Sequence, residues 1–213
     1  IADICAEAGL TSGVDSTQAH GMVRGYIVGE IGTARQALQP LSTAYGLNIA
    51  EREGVLRFSL RSGVATVTLD RARLAVSSEL ESGSEATRGA DLDSPGRIQL
   101  NYVEAEGDYE TRSTEAIFPD ETSAAVSSTE MALQLTNSEA RAVAERWLVE
   151  SRVARDGLRL ALPRSQLALG AGDLVKLDGQ SWRIDKVEQG EMQVMEAVRV
   201  DHGAYLPAED VDY

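Results

Sequence analysis

The stretch LTNSEARAVAERWLVESRVARDGLRLALP, residues 135–163, changes its apolar period part-way, from that of a helix to that of a strand. Thr136 followed three positions later by Glu139 forms a capping box, in which each side chain satisfies the other residue's backbone N–H. A helix over residues 137–155 follows, its inner face Ala140, Val143, Ala144, Trp147, Leu148, Ser151 and Ala154. Arg141 with Glu145, and Arg146 with Glu150, are spaced to pair on the outer side. Asp156-Gly157 ends the helix, after which Leu158, Leu160 and Leu162 alternate with other residues up to Pro163.

Downstream, Leu174-Val175-Lys176-Leu177 and Trp182-Arg183-Ile184 flank Asp178-Gly179, a strong short hairpin signal. Met192, Val194, Val198 and Val200 read as one face of a last strand, interrupted by Glu196. Residues 202–213, HGAYLPAEDVDY, are acidic and aperiodic, and are expected to link to a further domain.

Upstream, Ile1, Ile4, Cys5 and Ala8 share a helical face that Gly9 closes. Met22 to Ile31 reads as a strand around Tyr26-Ile27-Val28. Thr33 and Gln36 form a second capping box, opening a helix that Gly46 stops and that Pro40 interrupts by removing a backbone donor. Segments 47–52 and 55–61 around Glu53-Gly54 form a hairpin. This order of helix, strand, helix and hairpin predicts a small α+β domain at 1–61.

Strand signals at 64–69, 97–102, 109–117 and 131–135 predict a mainly β domain over 62–201, sheet or barrel, carrying the long helix. Between them, residues 77–95 hold five Ser, three Glu and two Gly, and read as a loop or an arm that needs a partner.

The net charge of −14 excludes a protein that grips nucleic acid by its phosphates, because that mode needs a basic stripe. Residues 101–130 carry eight carboxylates against Arg112 alone. Glu104, Glu106, Asp108 and Glu110 recur every second position, so a strand there would place them on one face. No stretch approaches the roughly 18 apolar residues of a membrane span. With Ile1 as its first residue and no initiator Met, the chain is expected to be a segment of a longer polypeptide.

No catalytic, cofactor or metal site is expected. His20 and His202 lie far apart and outside any metal-ligand spacing, and Cys5 is a lone thiol. There is no GxSxG element for a nucleophile. Gly170, Gly172 and Gly179 lack the Lys-Ser/Thr of a phosphate loop and read as turn glycines. Trp147 and Trp182 are expected in the core, with a carbohydrate platform at Trp182 as the lesser alternative.

Three stretches carry a family resemblance: residues 1–10, residues 25–61, and residues 135–163 with LALGAGDLVKLDGQSWRIDKVEQGEMQVMEAVRV at 167–200. Together they resemble the hub (megatron-type, phage-tail domain) proteins of gene transfer agents and siphophage tail tips. The resemblance covers residues 1–200 and is weakest over 77–125. It implies a tail-tube-like barrel for 62–201 and a hub insertion domain for 1–61. It also implies a homotrimer that joins the hexameric tail tube to the tip, contacts distal tail, tail tube and other baseplate proteins, and surrounds the DNA exit channel.

On this view the chain is a structural virion component assembled in a bacterial cytoplasm. Glu104, Glu106, Asp108 and Glu110 then face a lumen whose negative charge keeps DNA from sticking. A module acting on or binding cell wall or surface polysaccharide is the alternative function, since tail tips commonly carry such domains.

Overall fold

A computed structural model describes residues 1–29, 32–76, 80–90, 94–119 and 125–206. In chain order, the first elements are α1 (Ala2–Glu7), β1 (Val14–Gln18), α2 (Ala34–Tyr45), β2 (Leu47–Arg52), β3 (Val55–Leu60), β4 (Val67–Thr68) and β5 (Ser84–Arg88). They are followed by β6 (Arg97–Glu104), β7 (Thr111–Ile117), β8 (Val126–Leu135), α3 (Asn137–Val153), β9 (Asp156–Leu162), β10 (Leu174–Leu177), β11 (Gln180–Gln189) and β12 (Gln193–Val200). The fold is mainly β.

These elements sort into two units. The first draws on Ile1–Arg61 and Pro95–Val149, the second on Ser62–Ser94 and Glu150–Leu206. Where the sequence pattern groups 62–201 together, the structure places residues 95–149 beside 1–61. The reason is burial, since Ile98, Leu100 and Tyr102 share one apolar cluster with Leu38, Leu41 and Phe58.

In the first unit α1 closes as expected, with Gly9 at φ +88° and the Leu10 N–H donating to the Cys5 carbonyl at 2.9 Å. The capping box of α2 is present, the helix continues through Pro40, and Gly46 ends it in the left-handed conformation. Positive φ at both Glu53 and Gly54 makes the β2–β3 turn one that matches strand twist. Polar β1 gives no apolar alternation, yet it pairs parallel to β3, with Val14 opposite Leu56.

The unit's other sheet has the order β7-β6-β8. β6 buries Ile98, Leu100 and Tyr102, pairs antiparallel to β7, and pairs parallel to β8. The strand read over Met22 to Ile31 reduces to one bridge, Tyr26 with Leu133, flanked by Ile27 N–H to Ala132 C=O at 3.0 Å. Glu30 and Ile31 lie outside the described residues. The capping box of α3 is formed: the Thr136 N–H donates to Glu139 at 2.9 Å and the Glu139 N–H to the Thr136 hydroxyl at 3.2 Å. Ala140, Val143, Ala144 and Leu148 are buried, and Trp147 packs partly buried against them.

The second unit is built on a six-stranded sheet of order β4-β10-β11-β12-β9-β5, in which β4 and β5 are the edges among the described residues. Leu158, Leu160, Leu162, Val175, Ile184 and Met195 form its core. Two expectations change here. Within the polar stretch 77–95, Ser84–Arg88 is a strand, paired antiparallel to β9 with Ser84 opposite Leu160; residues 77–79 and 91–93 lie outside the described residues. β12 turns its other face inward, burying Gln193, Met195 and Ala197, while exposed Glu196 sits 3.8 Å from Lys186. Val194, Val198 and Val200 all stand half-buried on the opposite face with Glu196, so apolar residues occupy both faces of β12 and their pattern did not fix the inner one.

Of the segment 202–213, the structure describes 202–206, where His202–Tyr205 form a short 3-10 turn capped by Asp201. Residues 207–213 lie outside the described residues.

Candidate functional site

Carboxylates at every second position share a face only while the chain stays extended. β6 ends at Glu104, the chain bends through 105–109, and β7 begins at Thr111. The Glu104 N–H donates to the Glu110 carbonyl at 2.9 Å, closing the base of the loop. The bend therefore takes the four acids off a single extended strand face. Glu104 keeps only 12% of its side chain exposed, with a carboxylate oxygen 3.7 Å from the Arg112 guanidinium. Glu106, Asp108 and Glu110 are exposed on the loop.

Between them Tyr109 is held at φ +57° and is 65% exposed, so the loop presents an aromatic ring among three carboxylates. Such a loop repels anions. Its charge is moderated by Arg24, which bonds to Glu139 at 3.3 Å and is held above its ordinary pKa by that bond, by the Glu139 charge and by the Glu106 charge. Partial burial raises the Glu139 carboxyl, but hydrogen bonds from Thr136 and Arg24 outweigh this and leave it below the usual range. No local pattern in the sequence signals this pairing, because Arg24 and Glu139 lie far apart in the chain.

The remaining candidates take structural positions. His20 is exposed, and exposed His202 places Nδ1 2.5 Å from the Ser62 carbonyl oxygen. Cys5 is buried. The Gly170 N–H donates to Asp173 at 2.9 Å, and Gly172 and Gly179 have positive φ, which is turn chemistry. Trp182 is 5% exposed in the core of the second unit, so its ring face is not offered as a carbohydrate platform. Among the described residues no group of three His, Cys, Asp or Glu is placed to hold a metal ion.

One concavity was not read from the sequence. In the first unit a groove of about 490 Å³ is lined by Ile4 of α1, Ala8 just beyond its end, Ala37 and Pro40 of α2, and Ile27 and Val28. Tyr26 anchors its wall by donating its hydroxyl to the Ala37 carbonyl at 2.5 Å.

The family model Phage-tail_3, of phage tail proteins, matches residues 33–187. The chain belongs to this phage tail protein family. A solved chain from the virion of a native gene transfer agent particle is 44% identical, with a TM-score of 0.92 over 100% of this chain and 49% of that one. This member of the family thus spans about half the length of that relative. Two tail proteins share the fold at 12% identity: the 43 kDa tail protein of prophage MuSo2 from Shewanella oneidensis, with a TM-score of 0.59 over 95% of this chain and 66% of that one, and the tail protein from Neisseria meningitidis MC58, with 0.57 over 93% and 64%. No curated protein matches the chain. Among the described residues of this phage tail protein, no helix is long and apolar enough to cross a membrane.

Proposed function

We propose that this phage tail protein is a structural segment of the baseplate hub of a phage-like tail or gene transfer agent, working by assembly and not by catalysis. The observation that carries this reading is the 44% identity over the whole chain to a component of an assembled gene transfer agent virion. Three copies would form a ring that joins the hexameric tail tube to the tip and surrounds the DNA exit channel, with distal tail, tail tube and baseplate proteins as neighbours. In such a ring the second unit's sheet occupies the place of a tube-like barrel wall, with β4 and β5, its edges among the described residues, being where further strands can pair.

In this reading the 104–110 loop faces the channel. Glu106, Asp108 and Glu110 supply the repulsion that lets DNA pass without binding, while Glu104 has its charge offset by Arg112. Electron cryo-microscopy of intact particles tests it. The expected result is three copies per tail with the 105–110 loops directed at the channel; a single copy per tail, or a channel lined by Arg, overturns it.

A further inference from the structure

The groove in the first unit adjoins an open sheet edge. β8 ends the order β7-β6-β8, and among the described residues the Gly25–Ile27 segment meets its outer side at Ala132, Leu133 and Gln134. Among the described residues, no strand lies beside Val126–Met131 on that side. Such an edge presents unpaired backbone donors and acceptors. Beside it, Ile27 is 65% and Val28 56% exposed. The groove's volume, about 490 Å³, falls in the range of roughly 300–1,000 Å³ typical of ligand clefts.

Charge selects the occupant. Among the described residues, the charged groups lining the groove are Glu7 on α1 and Glu130 on β8, both exposed. A second copy of this chain would bring a further net charge of −14 towards them. A basic partner is favoured instead, because complementary charge steers association and like charge opposes it.

We propose that this groove receives an extended apolar segment of a different protein, carrying one Lys or Arg. That segment adds as a strand to the Val126–Met131 edge of β8 and seats alternate apolar side chains against Ile27, Val28 and Pro40. Its cation lies against Glu130 and Glu7. The inference does not require the trimeric ring, since it rests on one copy of the chain.

The test is a titration of the nitrogen-labelled chain, followed by NMR, with the blocked peptide Thr-Val-Arg-Val-Ala-Val-Thr and its counterpart holding Asp in place of Arg. Shifts confined to Ile27, Val28 and residues 126–132 are expected, with the Arg peptide bound about tenfold or more tighter. Glu130→Lys should invert that ranking, and Ile27→Asp, at an exposed site, should abolish binding while leaving the remaining amide spectrum unchanged. Absence of shifts at low millimolar peptide, or equal binding of both peptides, overturns the proposal. Shifts at the groove that grow with protein concentration alone, together with a dimer in sedimentation, overturn it in favour of a second copy as occupant.

Discussion

Arg146 donates from Nη2 to the carbonyl oxygen of Ala44 at 2.8 Å, and from the same nitrogen to Thr43 at 2.6 Å. One guanidinium on α3 thus satisfies carbonyls at the C-terminal end of α2, which no intrahelical donor reaches. Its positive charge also complements the negative end of the α2 dipole.

Replacing Arg146 by Ala should destabilise the first unit by about 1.5–3 kcal/mol, the range for hydrogen bonds to a charged group. Arg146→Lys should recover part of the loss, since one ammonium can reach one carbonyl but lacks the planar fork. Hydrogen exchange at the amides of α2 and β2 reads both. Equal protection in Arg146→Ala and the parent chain would remove the cap from the account.

Glu139 links the start of α3 to Arg24, and its pKa is depressed by the Thr136 and Arg24 hydrogen bonds acting against burial. A depressed carboxyl stabilises the fold above its unfolded value, near 4.5, and that contribution disappears as pH falls through the lower folded value. Glu139→Gln keeps an acceptor for the Thr136 N–H but loses the charge. Its deficit against the parent chain should therefore be constant at neutral pH and shrink on acidification below about 4.5 in urea unfolding. Glu139→Ala, losing the box as well, should cost about 1 kcal/mol at neutral pH.

Gly63 and Gly54 both have positive φ, +64° and +75°, but their surroundings differ. A Cβ on Gly54 meets nothing within 4 Å, whereas one on Gly63 would stand 2.7 Å from the His202 Cα. Gly54→Ala should cost about 1–2 kcal/mol, the left-handed backbone penalty alone. Gly63→Ala should cost roughly 2–5 kcal/mol, because backbone at residue 202 must move as well. Thermal unfolding of the two variants, side by side, checks the ordering.

Gln193 is 1% exposed, and neither atom of its side-chain amide finds a hydrogen-bond partner among the described residues. Burying an amide without partners costs about 1–3 kcal/mol. Gln193→Met fills the same space with apolar atoms and should raise stability by about 1 kcal/mol or more. A lower denaturation midpoint in Gln193→Met would show that the amide is satisfied in solution.

Much of the local structure was legible because its causes are local. The Thr33–Gln36 and Thr136–Glu139 boxes, the Gly46 stop and the Glu53-Gly54 and Asp178-Gly179 turns each follow from residues within four positions of one another. The acidic site was legible only as composition. Its spacing assumed a strand across residues 104–110, and a bend at 105–109 leaves Glu104 beside Arg112 with the other three acids exposed on the loop.

By itself, then, the sequence determined where helices begin and end, where hairpins turn, and that the chain is a phage tail protein in pattern. Only tertiary structure decided which strands are neighbours: β1 parallel to β3, β6 between β7 and β8, and Ser84–Arg88 against β9. It also decided that Ile98, Leu100 and Tyr102 are buried with Phe58, and that β12 turns Met195 and not Val194 inward. Alternation with period two marks a strand as half-buried but does not name its partner, because pairing is set by contacts between residues distant in the chain.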